Sequence, residues 1–330
     1  MIRPLVLLTA VFSAASVLAQ APLPAVDPGY TEEVAVNYVM IPFTALGSRG
    51  TPLIDLRSRD VALYVDGRQV ATDLFEKSMN APVSWTILLD GSGSMALAGK
   101  MEAARAAVNT LLARRRPGDD FALYVFAEGK STEIVPYTKN PVPITRAMWS
   151  VKPWGKTAFF DALADIQERP EMGENPTRAI VLLSDGIDNA SHLSRAQVVK
   201  LLEGVSVPVY ALGLREPAEQ SLDPAKAEEG SNLRLLDELA QMTGGKLYVG
   251  NRPQALATAM DGIEKNLRAQ YLIGFSPTGR GAVKYRRISL KLAGRARTVR
   301  VRAGYRGTEP PALSATNRGS SKRNERKKSS

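Results

Sequence analysis

Three oxygen-bearing side chains, Asp90, Ser92 and Ser94, alternate with glycines directly after the short apolar run Val83–Leu89. Such a run, bounded by turn residues, predicts a buried strand whose carboxyl end leads into the loop that carries these side chains. The glycines allow this loop to bend tightly and to approach a ligand. One carboxylate and two hydroxyls are suitable ligands for a hard divalent cation such as Mg2+, and are not the preferred ligands of zinc or copper.

The segments that follow predict an open α/β sheet that positions this loop. Lys100–Arg116 has apolar residues at helical spacing, and Pro117-Gly118 ends the helix. Strands then alternate with helices, which indicates a doubly wound, mostly parallel sheet that binds ligands at the carboxyl ends of its strands. The further predicted strands are 121–126 and 133–137, which could pair as a hairpin, and 178–183, 207–212 and 246–249; the further helices are 158–167, 193–202, 233–242 and 253–268.

Strands at both ends of the chain predict an accessory antiparallel β-sandwich beside this α/β unit. In the first strand, 33–43, Val34, Val36, Tyr38 and Met40 alternate with smaller or polar residues, which is typical of a half-buried strand. Asp66-Gly67 is a hairpin signal at the end of the next strand. The sandwich strands on the carboxyl-terminal side are predicted at 271–275, 285–292 and 297–302.

The first 19 residues predict a secretory signal peptide. Arg3 precedes the apolar run Leu5–Val11, and the small-residue stretch that follows predicts cleavage after Ala19. We therefore expect a secreted or periplasmic protein; an uncleaved membrane anchor is the alternative, although the apolar run is short for a spanning helix. No later apolar stretch is long enough to cross a bilayer. The chain has no cysteine, so no disulfide stabilises it.

The carboxyl-terminal tail carries much of the chain's positive charge. The 330-residue chain has a net charge of +10, and residues 318–330 supply +5 of it through six basic residues and one acid. The tail lacks large apolar residues, which predicts disorder. It either binds an anionic envelope surface or is simply solvated. Because the protein is expected to be exported, we do not expect nucleic acid as a partner.

These patterns together divide the chain into six predicted parts. The α/β unit lies between the two groups of sandwich strands, so the sandwich is built from segments distant in sequence. The parts are a signal peptide at 1–19, a flexible leader at 20–32, amino-terminal sandwich strands at 33–81, the α/β domain at 82–269, carboxyl-terminal sandwich strands at 270–306, and a basic tail at 307–330.

Three loops together resemble those of a von Willebrand factor type A domain. They are Asp90-x-Ser92-x-Ser94, the Gly-Lys-Thr loop ending in Thr157, and the Leu-Leu-Ser-Asp-Gly segment with Asp185. The resemblance implies a metal-ion-dependent adhesion site in which Ser92, Ser94 and Thr157 supply hydroxyl ligands. Asp90 and Asp185 would bind the metal directly or through water. The flanking strands, from Val34 to Tyr305, also resemble secreted proteins of acidobacterial type that contain this domain.

The ligand set that this resemblance implies leaves a divalent cation incompletely neutralised. Mg2+, or alternatively Mn2+ or Ca2+, would keep an open position that an acidic side chain of a partner protein can fill. We therefore expect a metal-dependent, adhesion-type protein-binding module. Trp154 and Lys156, beside the threonine loop, are candidate partner contacts; the alternatives are a half-buried structural tryptophan and a lysine that is simply solvated, which is the favoured interpretation for Lys156.

Other functions fit the sequence less well. The five residues could be ordinary turn and capping residues, or the metal could stabilise the loops while the sandwich makes the contacts of an envelope scaffold. A hydrolase would need an activated nucleophile, but Ser92 does not lie in a Gly-x-Ser-x-Gly turn. His192, the one histidine, lies in a polar loop, and there is no cysteine. We do not expect an enzyme.

Overall fold

The computed structural model describes most of the α/β unit and of its flanking strands. The predicted signal peptide, the leader, Val34, Val36 and the basic tail from residue 312 lie outside the described residues. The described residues are 38–128, 130–168, 173–186, 188–203, 205, 207–214, 227–250, 252–294 and 298–311. In this part of the chain no helix is long and apolar enough to cross a membrane.

The described strands and helices alternate in the middle of the chain, and strands alone occupy its two flanks. The strands are β1 (Val39–Leu46), β2 (Val61–Val65), β3 (Arg68–Gln69), β4 (Leu74–Met79), β5 (Val83–Asp90), β6 (Asp120–Ala127), β7 (Lys130–Thr138), β8 (Thr177–Ser184), β9 (Val209–Gly213), β10 (Lys246–Val249), β11 (Ala269–Phe275), β12 (Lys284–Leu292), β13 (Thr298–Val301) and β14 (Gly304–Gly307). The helices are α1 (Lys100–Ala113), α2 (Pro141–Ser150), α3 (Phe159–Glu168), α4 (Arg195–Leu202), α5 (Ala227–Thr243) and α6 (Pro253–Leu267).

The central sheet has the strand order β10-β9-β8-β5-β6-β7, and all neighbouring strands are parallel except the β6–β7 hairpin. All eight residues of β5 are buried. Ile87 and its neighbours on one face pack against α1, α2 and α6. Leu88 lies in the core on the other face, together with residues of α3, α4 and α5. Helices therefore cover both faces, which confirms the predicted doubly wound α/β sheet and explains why every residue of β5 is buried.

The flanking strands form two further antiparallel sheets, with the orders β13-β1-β11-β4 and β14-β12-β2-β3. One apolar core contains residues of both sheets, including Phe43 and Tyr271 from the first and Leu63 from the second. The predicted accessory β-sandwich is therefore confirmed. Its β2–β3 hairpin turns at Asp66 and Gly67, whose φ angles of 51° and 80° are both in the left-handed region that this tight turn requires.

The sequence pattern assigned the wrong face of β1 to the core. Tyr38 and Met40 are 36% and 47% exposed, whereas Ile41, Phe43 and Ala45 are buried. Because side chains alternate between faces, a register error of one residue exchanges the inner and outer sets completely. The strand also continues to Leu46, beyond its predicted end, and its second half pairs with β13.

Helix α2 is absent from the sequence prediction. Its first residue and its third residue are prolines, which usually indicate a loop. In the structure the first proline occupies the first helical turn, where its missing N–H has no intrahelical partner to lose. The side chain of Asn140 caps the helix by accepting a hydrogen bond from the Val142 N–H at 3.0 Å. Helix α1, in contrast, ends at Ala113 and is shorter than predicted.

A buried ion-pair cluster, which we call the Arg268 clasp, joins the end of α6 to the start of the central sheet. The Arg268 guanidinium donates to both oxygens of Asp119, at 3.3 and 2.5 Å, and to Oε1 of Glu264 at 2.5 Å. It also donates to the Ala81 carbonyl, 2.9 Å away, just before β5. Burial lowers the pKa of Arg268, but its hydrogen bonds to the two carboxylates outweigh burial, and the net shift is upward. The clasp therefore ties together both chain segments that connect the α/β unit to the sandwich.

Candidate metal-binding site

Asp90 ends β5, and its fully buried carboxylate is held from two sides. One oxygen, Oδ1, accepts a hydrogen bond from the Ser92 N–H at 2.9 Å. The other, Oδ2, accepts from the Ser184 hydroxyl at 2.6 Å. Ser184 is the last residue of the neighbouring strand β8, so strand pairing itself brings the aspartate loop and the Asp185 loop to one edge of the sheet.

Ser92 and Ser94 point their hydroxyls at each other, with 3.1 Å between the two Oγ atoms. The loop is anchored by Met95, which is completely buried in a 3-10 turn at Gly93–Ala96. Two ligands at right angles on an ion with bond lengths of about 2.1 Å lie about 3.0 Å apart. The spacing of these hydroxyls therefore matches neighbouring positions on an octahedral cation.

The threonine loop is attached to the aspartate loop through backbone hydrogen bonds. The Trp154 N–H donates to the Gly91 carbonyl at 2.9 Å, and the Gly93 N–H donates to the Gly155 carbonyl at 3.0 Å. Gly155 has a φ of 79°, in the left-handed region that favours glycine, and a Cβ there would lie 2.3 Å from Glu128 Oε1, so the Glu128 side chain would have to move. Thr157, in the same loop, is buried.

The third loop carries Asp185 and contacts the threonine loop. The Asn189 side chain accepts from the Thr157 N–H at 2.9 Å, and the Asn189 N–H donates to the Thr157 carbonyl at 3.0 Å. The Asp185 carboxylate pairs with Lys100, with 2.9 Å between Oδ2 and Nζ. Lys100, which contacts Asp185, and Ser184, which contacts Asp90, are not among the site residues that the sequence predicts.

Burial raises the pKa of Asp90 to about 6. Hydrogen bonds from Ser184 and Ser92 oppose that shift, and the nearby negative charge of Asp185 adds to it. An ionised Asp90 is therefore inadequately compensated by the protein alone, and a cation would supply the missing charge. Among the described residues no group of three or more His, Cys, Asp or Glu side chains gathers, so hydroxyls would have to complete the ligand set. These residues fit a hard divalent cation.

The two candidate partner contacts lie at the edge of this site. Trp154 is 67% exposed, which excludes the half-buried alternative, and Leu97 on the aspartate loop is 57% exposed. Lys156 is also exposed, and its backbone N–H donates to Glu128 Oε1 at 2.6 Å. His192 lies at the surface, and its ring contacts Asp161.

Residues 86–187 match the family model for the von Willebrand factor type A domain, a stretch that includes all three loops. An uncharacterized protein of Borreliella burgdorferi is 31% identical over 83 residues, which are 22% of this chain and 24% of that protein. This chain thus spans about a quarter of that relative's length.

Two solved structures are also similar to this chain. One is a von Willebrand factor type A protein from Catenulispora acidiphila, with 15% identity, a TM-score of 0.47, and coverage of 83% of this chain and 74% of that chain. Another is an aerotolerance-related membrane protein from Bacteroides fragilis, with 24% identity, a TM-score of 0.42, and coverage of 56% and 98%. The narrower resemblance to acidobacterial proteins stays a prediction. The family match over residues 86–187 identifies this part of the chain as a von Willebrand factor type A domain.

Proposed function

We propose that this protein is an exported, metal-dependent binding module for other proteins. Asp90, Ser92, Ser94, Thr157 and Asp185 would hold one divalent cation, Mg2+ or alternatively Mn2+ or Ca2+, directly or through water. When bound, the cation supplies a Lewis-acidic position that an Asp or Glu of the partner completes. The protein residues position that cation.

The observation that carries this proposal is the spacing of the two serine hydroxyls beside a buried, poorly compensated carboxylate. The 3.1 Å between Ser92 Oγ and Ser94 Oγ suits adjacent ligands of an octahedral ion. The backbone hydrogen bonds between the loops fix these groups before any metal arrives, which favours binding because little ordering remains to be done.

The surface around the site suits a partner with an acidic residue flanked by apolar ones. Trp154 and Leu97 are large, exposed apolar side chains on the two loops that carry hydroxyl ligands, and Lys156 adds a positive charge at the edge. Exposed tryptophans beside a binding centre commonly contribute strongly to protein recognition. Export rests on the sequence of residues 1–19, which lie outside the described residues.

Capture from the envelope fraction of the producing cells tests the proposal. The parent chain should retain a partner in Mg2+ or Mn2+ and release it in chelator, whereas Asp90→Asn should retain none under either condition. Retention that ignores both the chelator and the substitution would reject a metal-bridged contact.

A scaffold function of the β-sandwich is the second candidate. The sandwich exposes large apolar side chains, among them Met40, Ile54 and Val283. In that case the metal would only stabilise the loops, and Asp90→Asn would leave partner capture intact. A hydrolase is disfavoured because a nucleophilic serine needs a neighbouring base. The ring of His192 contacts Asp161, and the hydroxyl of Ser92 contacts that of Ser94.

Replacing Trp154 with alanine should weaken partner capture by about tenfold or more, because the change removes a large exposed contact at the edge of the site. Affinity for Mn2+ alone, measured by calorimetry, should stay unchanged. Trp149→Ala is the matched control, since Trp149 is similarly exposed but lies at the end of α2 over Arg105. Equal loss of capture in the two variants would contradict a specific role for Trp154.

The affinity for Mn2+ should decrease as the pH is lowered through about 6, the raised pKa of Asp90. Below that pH the folded, metal-free protein holds a proton on Asp90, and the metal must displace it. The expected loss approaches about tenfold per pH unit for one coupled proton. Calorimetric titrations across this range provide the measurement. An affinity that is constant down to the ordinary aspartate pKa would show that Asp90 is not a ligand.

A further inference from the structure

Lys100 is a buried lysine beside the candidate metal site, and no metal-ligand motif includes it. It is the first residue of α1, and its side chain is only 3% exposed. The ammonium lies 2.9 Å from Oδ2 of Asp185, whose side chain is 2% exposed. Lysine is almost never fully buried unless it is paired, so the fold has placed a full positive charge next to this carboxylate.

The position of Lys100 in helix α1 does not by itself favour a lysine. The first turn of a helix has unpaired N–H groups and a partial positive charge, so a lysine there is electrostatically unfavourable. Its backbone N–H donates to the Leu97 carbonyl at 3.1 Å, and this bond continues the aspartate loop directly into α1. The position of Lys100 is thus set by the same loop that carries Ser92 and Ser94.

The ammonium changes the charge of the site. Asp90 and Asp185 together carry two negative charges when ionised, and Lys100 reduces the net charge to −1. A bound divalent cation then makes the site net positive, and a carboxylate ligand makes it neutral. Without Lys100 the cation alone would neutralise the site, and a carboxylate ligand would introduce excess negative charge.

We propose that Lys100 is a positioning residue that weakens metal binding and, in return, makes the metal-loaded site selective for an anionic ligand. This inference rests on the proposed function. It deepens that function by assigning the preference for an acidic partner to a residue of this chain rather than to the cation alone. It also predicts opposite effects of one substitution on two ligands, which a purely structural ion pair would not produce.

Lys100→Met in the full chain removes the charge and keeps the length and apolar character of the side chain. Mn2+ affinity, measured by calorimetry, should increase by about tenfold or more, because a neighbouring positive charge no longer repels the ion. Acetate is the anionic probe: it should displace water from bound Mn2+, as followed by water-proton relaxation. Half-displacement in Lys100→Met should require several-fold more acetate than in the parent.

Two controls separate charge from folding. Lys156→Met removes an exposed lysine beside the same site and should change Mn2+ affinity by less than about threefold, because solvent screens that charge. In chelator, Lys100→Met should melt below the parent, since the substitution removes the buried ion pair between Lys100 and Asp185. Mn2+ should raise the melting temperature of this variant more than it raises that of the parent. Lys100→Gln provides the same test with a polar side chain if the methionine variant does not fold.

The outcomes distinguish this inference from the proposed function. If the parent chain binds no Mn2+, both the metal-dependent function and the role of Lys100 are rejected. If the parent binds Mn2+ but the neutral variants bind it equally or more weakly, only the role of Lys100 is overturned. Tighter Mn2+ binding together with weaker acetate binding supports it.

Discussion

Replacing Arg268 with methionine is expected to lower the free energy of unfolding by about 3–5 kcal/mol, because it leaves the buried Asp119 carboxylate without the guanidinium that neutralises it. Asp119 is buried and is held in place by the backbone N–H groups of Val83 and Arg116, whereas Glu264 keeps a second ion pair with Arg116 at 3.1 Å. Breaking one side of a buried pair costs far more than the intact pair contributes, since the remaining charge stays desolvated. Urea unfolding of the full chain measures the difference.

The ion pair between Arg114 and Asp261 supplies the matched control. Its two charged groups are 2.6 Å apart, but the arginine side chain is 48% exposed. Arg114→Met should therefore cost less than about 1 kcal/mol. A loss in Arg268→Met as small as this would mean that the clasp contributes no more than a surface pair. Because Arg268 follows α6 directly, any displacement of α6 along the sheet would also disturb the contacts of the Arg268 clasp.

Replacing Asp90 with asparagine is expected to abolish metal binding and, at the same time, to stabilise the metal-free protein at neutral pH. Burial raises the pKa of Asp90 from 3.8 to about 6, so the folded state holds this proton more tightly than the unfolded state does. The stability that protonated Asp90 contributes is fully present at a pH below its pKa in the unfolded state. It is lost as the pH rises through its pKa in the folded state. Above that range the ionised carboxylate costs about 3 kcal/mol, an upper figure that corresponds to the shift of about two pH units.

Asparagine removes this cost, keeps the hydrogen bond from the Ser92 N–H and reverses the direction of the one with Ser184. Its carbonyl oxygen can accept from the Ser92 N–H, and its amide can donate to the Ser184 hydroxyl. In chelator the variant should therefore melt above the parent, and in millimolar Mn2+ the order should reverse, because only the parent gains stability from binding. Lower stability of the variant in chelator would show that the ionised carboxylate is already well compensated by the protein.

The sequence predicted those elements whose conformation depends on neighbouring residues in the chain, such as the strand β5 and the turn at Asp66-Gly67. The mostly apolar composition of β5 follows from its burial on both faces. The Asp66-Gly67 turn follows from the positive φ angles that a tight hairpin requires. The face of β1 was assigned wrongly because an alternating pattern defines two faces but does not say which of them meets the second sheet. Tyr38 is large and aromatic but exposed, whereas the smaller Ala45 is buried.

The supporting residues of the site could not be found in the same way. Lys100 lies at the start of an amphipathic helix, where a lysine normally indicates a solvated position, and only the strand order brings Asp185 to it. Ser184 precedes Asp185 as an ordinary strand residue, and its contact with Asp90 depends on β5 and β8 being neighbours. The ligand motif was visible in the sequence because it is local; its buried counter-charge depends on tertiary structure.

The most direct test of the central claim is a crystal structure of the chain with Mn2+, located by its anomalous scattering. We expect one ion at the carboxyl end of β5, within about 2.5 Å of the hydroxyls of Ser92 and Ser94. Thr157, Asp90 and Asp185 should complete its coordination directly or through water, and Asp90→Asn crystals should lack the ion. An ion bound elsewhere, or no ion at millimolar Mn2+ with the three loops arranged as described above, would contradict a metal-dependent binding function.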